Sequence, residues 1–227
     1  MPRGKLIVLE GPEGVGKTTQ VARLSEHLQA VQVPHVTFRE PGGTELGERI
    51  RSLLLHDDFD IHARAETLLF LAARAQLAHV IGQRLELGEI VLLDRFFLST
   101  LAYQSRGRLL SQRDEEAVLC ANRFAIGNLR ADITIILLYP YGAGLERVDR
   151  RGKRDRIERA GLDFHERVAR AFGEFTEPEW SERLPELGEI EKVNAQGDVE
   201  EVFDRVLNVL SRYWPETFRP GPRSHRA

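Results

Sequence analysis

Residues 6–20 read Leu6-Ile7-Val8-Leu9-Glu10-Gly11-Pro12-Glu13-Gly14-Val15-Gly16-Lys17-Thr18-Thr19-Gln20. The run Leu6–Leu9 is short and wholly apolar, the pattern of a parallel strand buried on both faces. From Thr19 onward Gln20, Ala22, Leu24 and Leu28 continue at helical spacing. Between strand and helix lies a complete phosphate-binding loop, Gly11 to Thr18. Gly11, Gly14 and Gly16 tolerate positive φ, so successive N–H groups can close around an anion. The helix N-terminus adds partial positive charge, Lys17 can reach the β- and γ-phosphates, and the Thr18 hydroxyl can ligate Mg²⁺. Strand, glycine-rich turn and helix in this order imply a nucleoside triphosphate site.

The rest of the chain repeats the strand-then-helix alternation. Val33–Phe38, Glu89–Leu93, Ile133–Leu138 and Ile190–Val193 read as further strands. Helical patterns cover about 17–31, 44–55, 61–87, 97–105, 111–127, 143–151, 162–176 and 198–213. Such alternation predicts an α/β fold with a parallel five-stranded sheet, helices on both faces, and ligands at the carboxyl ends of the strands. One domain, residues 1–213, accounts for nearly all of it. Trp214 to Ala227, with three prolines and three arginines and no periodicity, predicts a loosely held tail.

Composition bounds the partners. The 227 residues carry a net charge of −3, so no basic field advertises nucleic acid. No apolar stretch reaches the ~18 residues a membrane span needs. Cys120 is the single cysteine, which excludes an internal disulfide and fits a reducing cytoplasm. As a small apolar residue it is expected to be buried. Met1-Pro2-Arg3-Gly4-Lys5 passes directly into the first strand, leaving no expected signal peptide.

Five more segments carry chemistry. Val91-Leu92-Leu93-Asp94-Arg95 is an apolar strand ending in Asp, suited to hold Mg²⁺ beside Thr18, although an ordinary helix N-cap also explains Asp94. Arg95 beside a phosphate site can engage it bidentately. Arg39-Glu40-Pro41-Gly42-Gly43-Thr44 forces a turn and caps a helix, but turn chemistry does not account for an Arg at the carboxyl end of the second strand. Phe70 and Arg74, four apart, share a helix face and could stack a base and bond its exocyclic oxygen; a core Phe beside a surface Arg is the plainer alternative. Thr100, Tyr103 and Gln104 share another face, as base readers or as polar surface. Segment 146–159 holds seven basic and four acidic residues, either a solvated helix face or a basic lid over the phosphates.

Taken in register, the loop with its Glu13, Arg39–Thr44, Phe70-Leu71-Ala72-Ala73-Arg74, Asp94-Arg95, Ala102-Tyr103-Gln104 and Asp155-Arg156-Ile157-Glu158 resemble the thymidylate kinase family over about residues 5–210. The resemblance implies a P-loop three-layer fold with a small mobile lid at about 146–160. It implies transfer of the γ-phosphoryl of ATP to dTMP with Mg²⁺, in a cytoplasmic homodimer that contacts its partner through helices beside the sheet. By the same resemblance Gly11, Pro12, Glu13, Gly14, Val15, Gly16, Lys17 and Thr18 hold ATP, and Thr18 with Asp94 holds the metal. Glu13 takes the 3′-hydroxyl, Arg39 and Arg95 grip the acceptor phosphate, Phe70 stacks on thymine, and Arg74 bonds its O4. Thr100 and Gln104 read the base edge, and Tyr103 excludes a ribose 2′-hydroxyl. Lys17, Arg95 and the lid residues Arg151 and Arg156 are the implied catalytic cations, because the loop has Gly14 where other members carry Arg. The chain departs from the family pattern at Phe96, at Ser105-Arg106-Gly107-Arg108 and at Tyr139-Pro140-Tyr141-Gly142. Kinases of other nucleoside monophosphates or deoxynucleosides, and a non-catalytic nucleotide sensor, are the competing readings. A GTP-dependent switch is disfavoured: Asp149-Arg150-Arg151-Gly152 comes too late in the chain, and no Asn-Lys-x-Asp motif accompanies it.

Overall fold

The computed structural model describes residues 3–56, 59–139 and 155–219. Five parallel strands form one sheet: β1 Leu6–Glu10, β2 His35–Arg39, β3 Ile90–Asp94, β4 Ile133–Leu138 and β5 Glu189–Asn194, in the order β2-β3-β1-β4-β5. Strand β1 is central, paired with β3 on one edge and β4 on the other, and its five residues are all buried. Its side chains alternate faces, as the two-residue period of a strand dictates. Leu6 and Val8 join one core with Val91 and Leu93, whereas Ile7 and Leu9 join the other with Leu92, Ile133 and Ile135. Continuous apolar strands thus feed two helical layers.

On the Ile7 face lie α1 Lys17–Ala30 and α8 Val199–Tyr213, packed through Leu24, Leu28, Val206 and Leu210. On the Leu6 face lie α2 Glu45–Leu55, α3 Ala63–Glu86, α5 Gln112–Ile126 and α6 Leu162–Glu174. The short α4, Phe97–Thr100, runs into a π-helix at Leu101–Gly107. Thr44 caps α2 by accepting from Gly47 N at 2.9 Å, worth about 1 kcal/mol. Asp198 and Glu201 form a reciprocal capping box at the start of α8. Helix α1 is different: it starts at Gly16 with no side-chain cap, so its first N–H groups stay available to an anion.

Sequence expectation and structure agree on five parallel strands within two residues at each end. They differ in four places. The helix expected over 97–105 is split, its second half widened into the π-helix, a form that recurs at functional sites. Pro178–Arg183 (α7) and the 3₁₀ turn Pro185–Leu187 had no periodic signal, since one or two turns cannot show a period; Trp180 packs them against the core. Cys120 is exposed, on the side of α5 opposite the buried Val118, Leu119 and Asn122. The expected tail does not begin at Trp214: Phe218 is fully buried and stacks on His27 at 6.1 Å between ring centres, while Lys5 sits over the Trp214 ring. Two aromatic rings outweigh the proline-rich composition there. The helix expected over 143–151 and most of the 146–160 lid lie outside the described residues, as do 220–227.

Candidate active site

The register Leu9↔Asp94 and Arg39↔Asp94 brings the carboxyl ends of β1, β2 and β3 together. The loops leaving those three ends line one open cavity with the π-helix, α3 and the Asp155–Glu158 turn. Loop residue Gly11 has φ +138°, and a Cβ there would stand 2.3 Å from Leu137 O, so glycine is required where the loop crosses β4. Lys17 folds back over its own loop and donates from Nζ to Gly11 O (2.9 Å) and Pro12 O (2.7 Å). Burial, reinforced by the nearby Arg95, pushes its ammonium down to about 8, against attraction from Glu13 and Asp94.

Thr18 donates from Oγ1 to Asp94 Oδ2 at 2.5 Å. Two hard oxygen donors side by side, one opening α1 and one ending β3, suit a cation such as Mg²⁺. Among the described residues no group of three or more His, Cys, Asp and Glu is placed to hold a metal by itself. The donor set therefore fits a nucleotide-bound ion rather than a resident one.

Arg95 occupies the left-handed region, φ +71°, uncommon for a residue with a side chain and a form of backbone strain seen at functional sites. Its Nη2 donates to Glu13 Oε1 (2.6 Å) and its Nη1 to Ser99 Oγ (3.2 Å) and Gly11 O (3.3 Å). Tyr103 donates its hydroxyl to the same Glu13 oxygen at 3.2 Å, and the Arg95 guanidinium lies over the Tyr103 ring. Burial alone would raise the Glu13 carboxyl, but Arg95 and Lys17 outweigh it and hold the pKa below the usual value. The buried Tyr103 phenol is pushed well above its usual range, with Glu13 adding to the shift. Glu13, Arg95 and Tyr103 thus form one charged cluster between the loop and the π-helix.

Arg39 also lines the cavity and pairs with Glu48 at 3.2 Å. Arg51 lines it too, donating to Pro41 O at 2.9 Å; burial and the neighbouring Arg39 lower its pKa. Sequence reasoning missed Arg51. The available signal was its position seven residues after the Thr44 cap, which places it on the face of α2 turned toward Arg39.

Phe70, half-buried, lines the cavity one helical turn before Arg74. Arg74 itself is 2% exposed, and all five of its N–H donors have protein acceptors. Nε and Nη2 donate to Glu40 Oε2 (2.7 and 2.5 Å), Nη1 to Thr100 Oγ1 and Asn122 Oδ1 (both 2.7 Å), and Nη2 to Phe96 O (2.7 Å). Arg74 also lines the cavity, so the expected bond to a base oxygen would share one of these donors. Thr100 and Gln104 do face the cavity.

Arg156 is a departure. Its Nε donates to Leu54 O (2.7 Å) and its Nη2 to Glu66 Oε2 (2.5 Å), and it does not line the cavity, unlike its neighbours Asp155, Ile157 and Glu158. The buried carboxylate of Glu66 and the Leu54 carbonyl hold the guanidinium between α3 and α2. Arg151 lies outside the described residues. Glu66 was not anticipated: one acidic residue inside α3 reads as solvated surface, although its spacing of four from Phe70 and eight from Arg74 marks the same face.

The arrangement can hold a polyphosphate on the loop, a second phosphate between Arg39, Arg51 and Arg95, and a base against Phe70. The thymidylate kinase family model matches residues 9–196. The thymidylate kinase of Carboxydothermus hydrogenoformans is 44% identical over 171 residues, 75% of this chain and 83% of that one. That of Deinococcus radiodurans is 44% identical over 173 residues, covering 76% and 82%. That of a Psychrobacter species is 38% identical over 213 residues, covering 93% of this chain and 99% of its own.

Proposed function

The chain belongs to the thymidylate kinase family, and from that premise we propose that it phosphorylates dTMP with ATP and Mg²⁺, giving dTDP and ADP. The observation that carries this reading is the single cavity joining Lys17 and Thr18 to Arg39, Arg95 and Phe70. A donor loop and an acceptor-phosphate site open to each other are what direct transfer requires.

An acceptor phosphate oxygen attacks the γ-phosphorus, the β–γ bridging bond breaks, and its electron pair leaves with ADP. The acceptor phosphate is ionised near neutral pH and needs no general base. Catalysis is then alignment and charge neutralisation. Gly11, Pro12, Glu13, Gly14, Val15 and Gly16 wrap the donor phosphates, with Lys17 and Arg95 as the cations nearest the transferred group. Thr18 and Asp94 would hold Mg²⁺, which supplies charge neutralisation across the donor phosphates. Arg39, Arg51 and Arg95 fix the acceptor phosphate, Glu13 its 3′-hydroxyl, and Phe70 its base. Arg74 supports that site through Thr100 and Glu40. Arg151 is the lid arginine assigned to the transferred group, with residues 146–160 as the lid. Tyr103 closes the space beside the sugar.

No described helix is long and apolar enough to cross a membrane, and we assign the protein to the cytoplasm. Leu68 on α3 and Phe124 on α5 are 62% and 89% exposed, with Cys120 exposed beside them on α5. These neighbouring helices form the face through which we place a homodimer. Light scattering of Phe124→Glu, expected to be monomeric, checks that assignment. The function itself is tested by coupled ADP release with ATP and Mg²⁺, which must depend on added dTMP; release without dTMP dependence refutes it.

A further inference from the structure

Glu66 is fully buried in α3, yet its carboxylate receives four hydrogen bonds from three residues. Oε1 accepts from Gln104 Nε2 (3.2 Å) and Arg108 Nε (3.3 Å); Oε2 accepts from Arg108 Nη2 (2.9 Å) and Arg156 Nη2 (2.5 Å). A carboxylate facing two guanidinium groups offers only lone pairs, so the amide of Gln104 has one permissible orientation: its nitrogen toward Glu66. Its oxygen is left over, in a residue that lines the cavity, and no described donor reaches it.

Thr100 is constrained in the complementary sense. Arg74 Nη1 donates to Thr100 Oγ1 at 2.7 Å, which uses an oxygen lone pair and leaves the hydroxyl proton to be given elsewhere. One buried anion therefore makes Gln104 an acceptor, and one buried cation makes Thr100 a donor. Both line the same cavity, on the segment that starts in α4 and widens into the π-helix.

We propose that Glu66 is a specificity-determining positioning residue: it fixes the Gln104 amide so that the site presents an acceptor from Gln104 and a donor from Thr100. That pair matches a pyrimidine with a 3-N–H and a 4-carbonyl. Cytosine reverses both groups, with a lone pair at N3 and an amine at C4, and would leave buried polar groups unpaired. The inference rests on the kinase reading above and names the device that selects its acceptor.

The test is the ratio of kcat/KM for dTMP to kcat/KM for dCMP. Glu66→Gln keeps the shape but can turn a donor toward Gln104, releasing the amide to rotate. The expected result is a fall in the ratio of roughly tenfold or more, the scale of one hydrogen bond to a buried group, with the KM for ATP unchanged. An unchanged ratio in a folded Glu66→Gln enzyme overturns the proposal and leaves Glu66 a structural anchor only. Gln104→Met covers the case in which Glu66→Gln does not fold: it removes the amide at similar length and should lower the ratio alike, and an undiminished ratio there also overturns the proposal. Wild-type enzyme that turns over dTMP and dCMP equally refutes the polarity while sparing the kinase reading. Wild-type enzyme inactive on every pyrimidine monophosphate refutes the kinase reading instead; calorimetric titration with dTMP and dCMP then decides the polarity alone.

Discussion

Thr18 Oγ1 and Asp94 Oδ2 stand 2.5 Å apart although 76 residues separate them in the chain. Parallel pairing of β1 with β3 makes the contact, since Asp94 ends β3 and Thr18 opens the helix that the loop after β1 leads into. Both side chains offer oxygen to the same point. Asp94→Asn keeps the size and removes the charge that attracts a divalent cation. Activity should fall by about two decades or more at limiting Mg²⁺ and recover in part at high Mg²⁺, because the lost contact is to the ion. A Mg²⁺ titration of turnover checks this, and an Asn variant with the wild-type Mg²⁺ dependence would leave Asp94 only as the acceptor that ties Thr18 to β3.

Lys17 gives a pH dependence whose sign can be worked out. Its pKa is depressed from the ordinary 10.5 to about 8 in the free protein. Below pH 8 the lysine is charged in both folded and unfolded chains, and the folded state carries the full cost of burying it. Between about 8 and 10.5 the unfolded chain binds the extra proton, so this group's contribution to stability rises with pH across that window. Donor binding should move the other way: KM for ATP should rise above pH 8 as the free enzyme loses its cation. Lys17→Arg, which does not titrate there, should flatten the high-pH limb of kcat/KM for ATP. Lys17→Ala should abolish turnover while dTMP still binds by calorimetry.

Tyr103 contacts Glu13 through its hydroxyl and Arg95 through its ring. Removing the hydroxyl alone and removing the ring should therefore separate. Tyr103→Phe leaves the bulk beside the sugar, so the preference for deoxyribose over ribose acceptors should stay. Tyr103→Ala opens that space, and the preference should drop. The ratio of kcat/KM for dTMP and its ribose counterpart, measured in both variants, decides whether the ring is a steric gate.

Arg74 lines the cavity and also spends its donors on protein acceptors. The pattern Phe70-x-x-x-Arg74 put both on one helix face, but only the folded chain brings Glu40, Asn122 and Thr100 to the guanidinium. Truncation to Ala leaves the Glu40 carboxylate buried with no countercharge. Loss of one partner from a buried ion pair costs about 3–5 kcal/mol, more than a single lost ligand contact. Arg74→Ala should lower the thermal midpoint as well as dTMP affinity, and adding Glu40→Gln should recover part of the midpoint but not the affinity. Full recovery of both would mean that Arg74 acts on the fold alone.

The strands and the phosphate loop were readable because each is a local pattern. Leu6–Leu9 and Ile133–Leu138 are apolar runs flanked by turn chemistry, and parallel strands need little else to be recognised. Arg51, Glu66 and the π-helix were not readable for the opposite reason. Arg51 and Glu66 are charged residues in helices, where solvent is the usual neighbour, and the place of Arg51 on the cavity wall and the burial of Glu66 are products of tertiary packing. The π-helix keeps Thr100, Tyr103 and Gln104 on one wall, but no residue in Leu101–Gly107 announces the extra residue per turn.

Arg156 has one role implied by its sequence context and another set by its contacts. Its place in Asp155-Arg156-Ile157-Glu158 implies an arginine for the transferred phosphoryl group. The folded chain gives its guanidinium to Glu66 and Leu54 O and holds its backbone N against Leu55 O at 3.2 Å. In that position it fastens the Asp155–Glu158 turn, a wall of the cavity, to α2 and α3. Loss of a catalytic arginine in phosphoryl transfer costs on the order of 10³ in kcat. Loss of an anchor acts instead on stability and on acceptor affinity. Arg156→Ala should therefore lower the thermal midpoint and raise the KM for dTMP, with a far smaller effect on kcat. Because Arg108 and Gln104 still face Glu66, the preference for dTMP over dCMP should survive. Steady-state kinetics with a melting curve distinguish the outcomes: a collapse of kcat at an unchanged midpoint and unchanged KM values would show that Arg156 leaves Glu66 during turnover and meets the phosphoryl group directly.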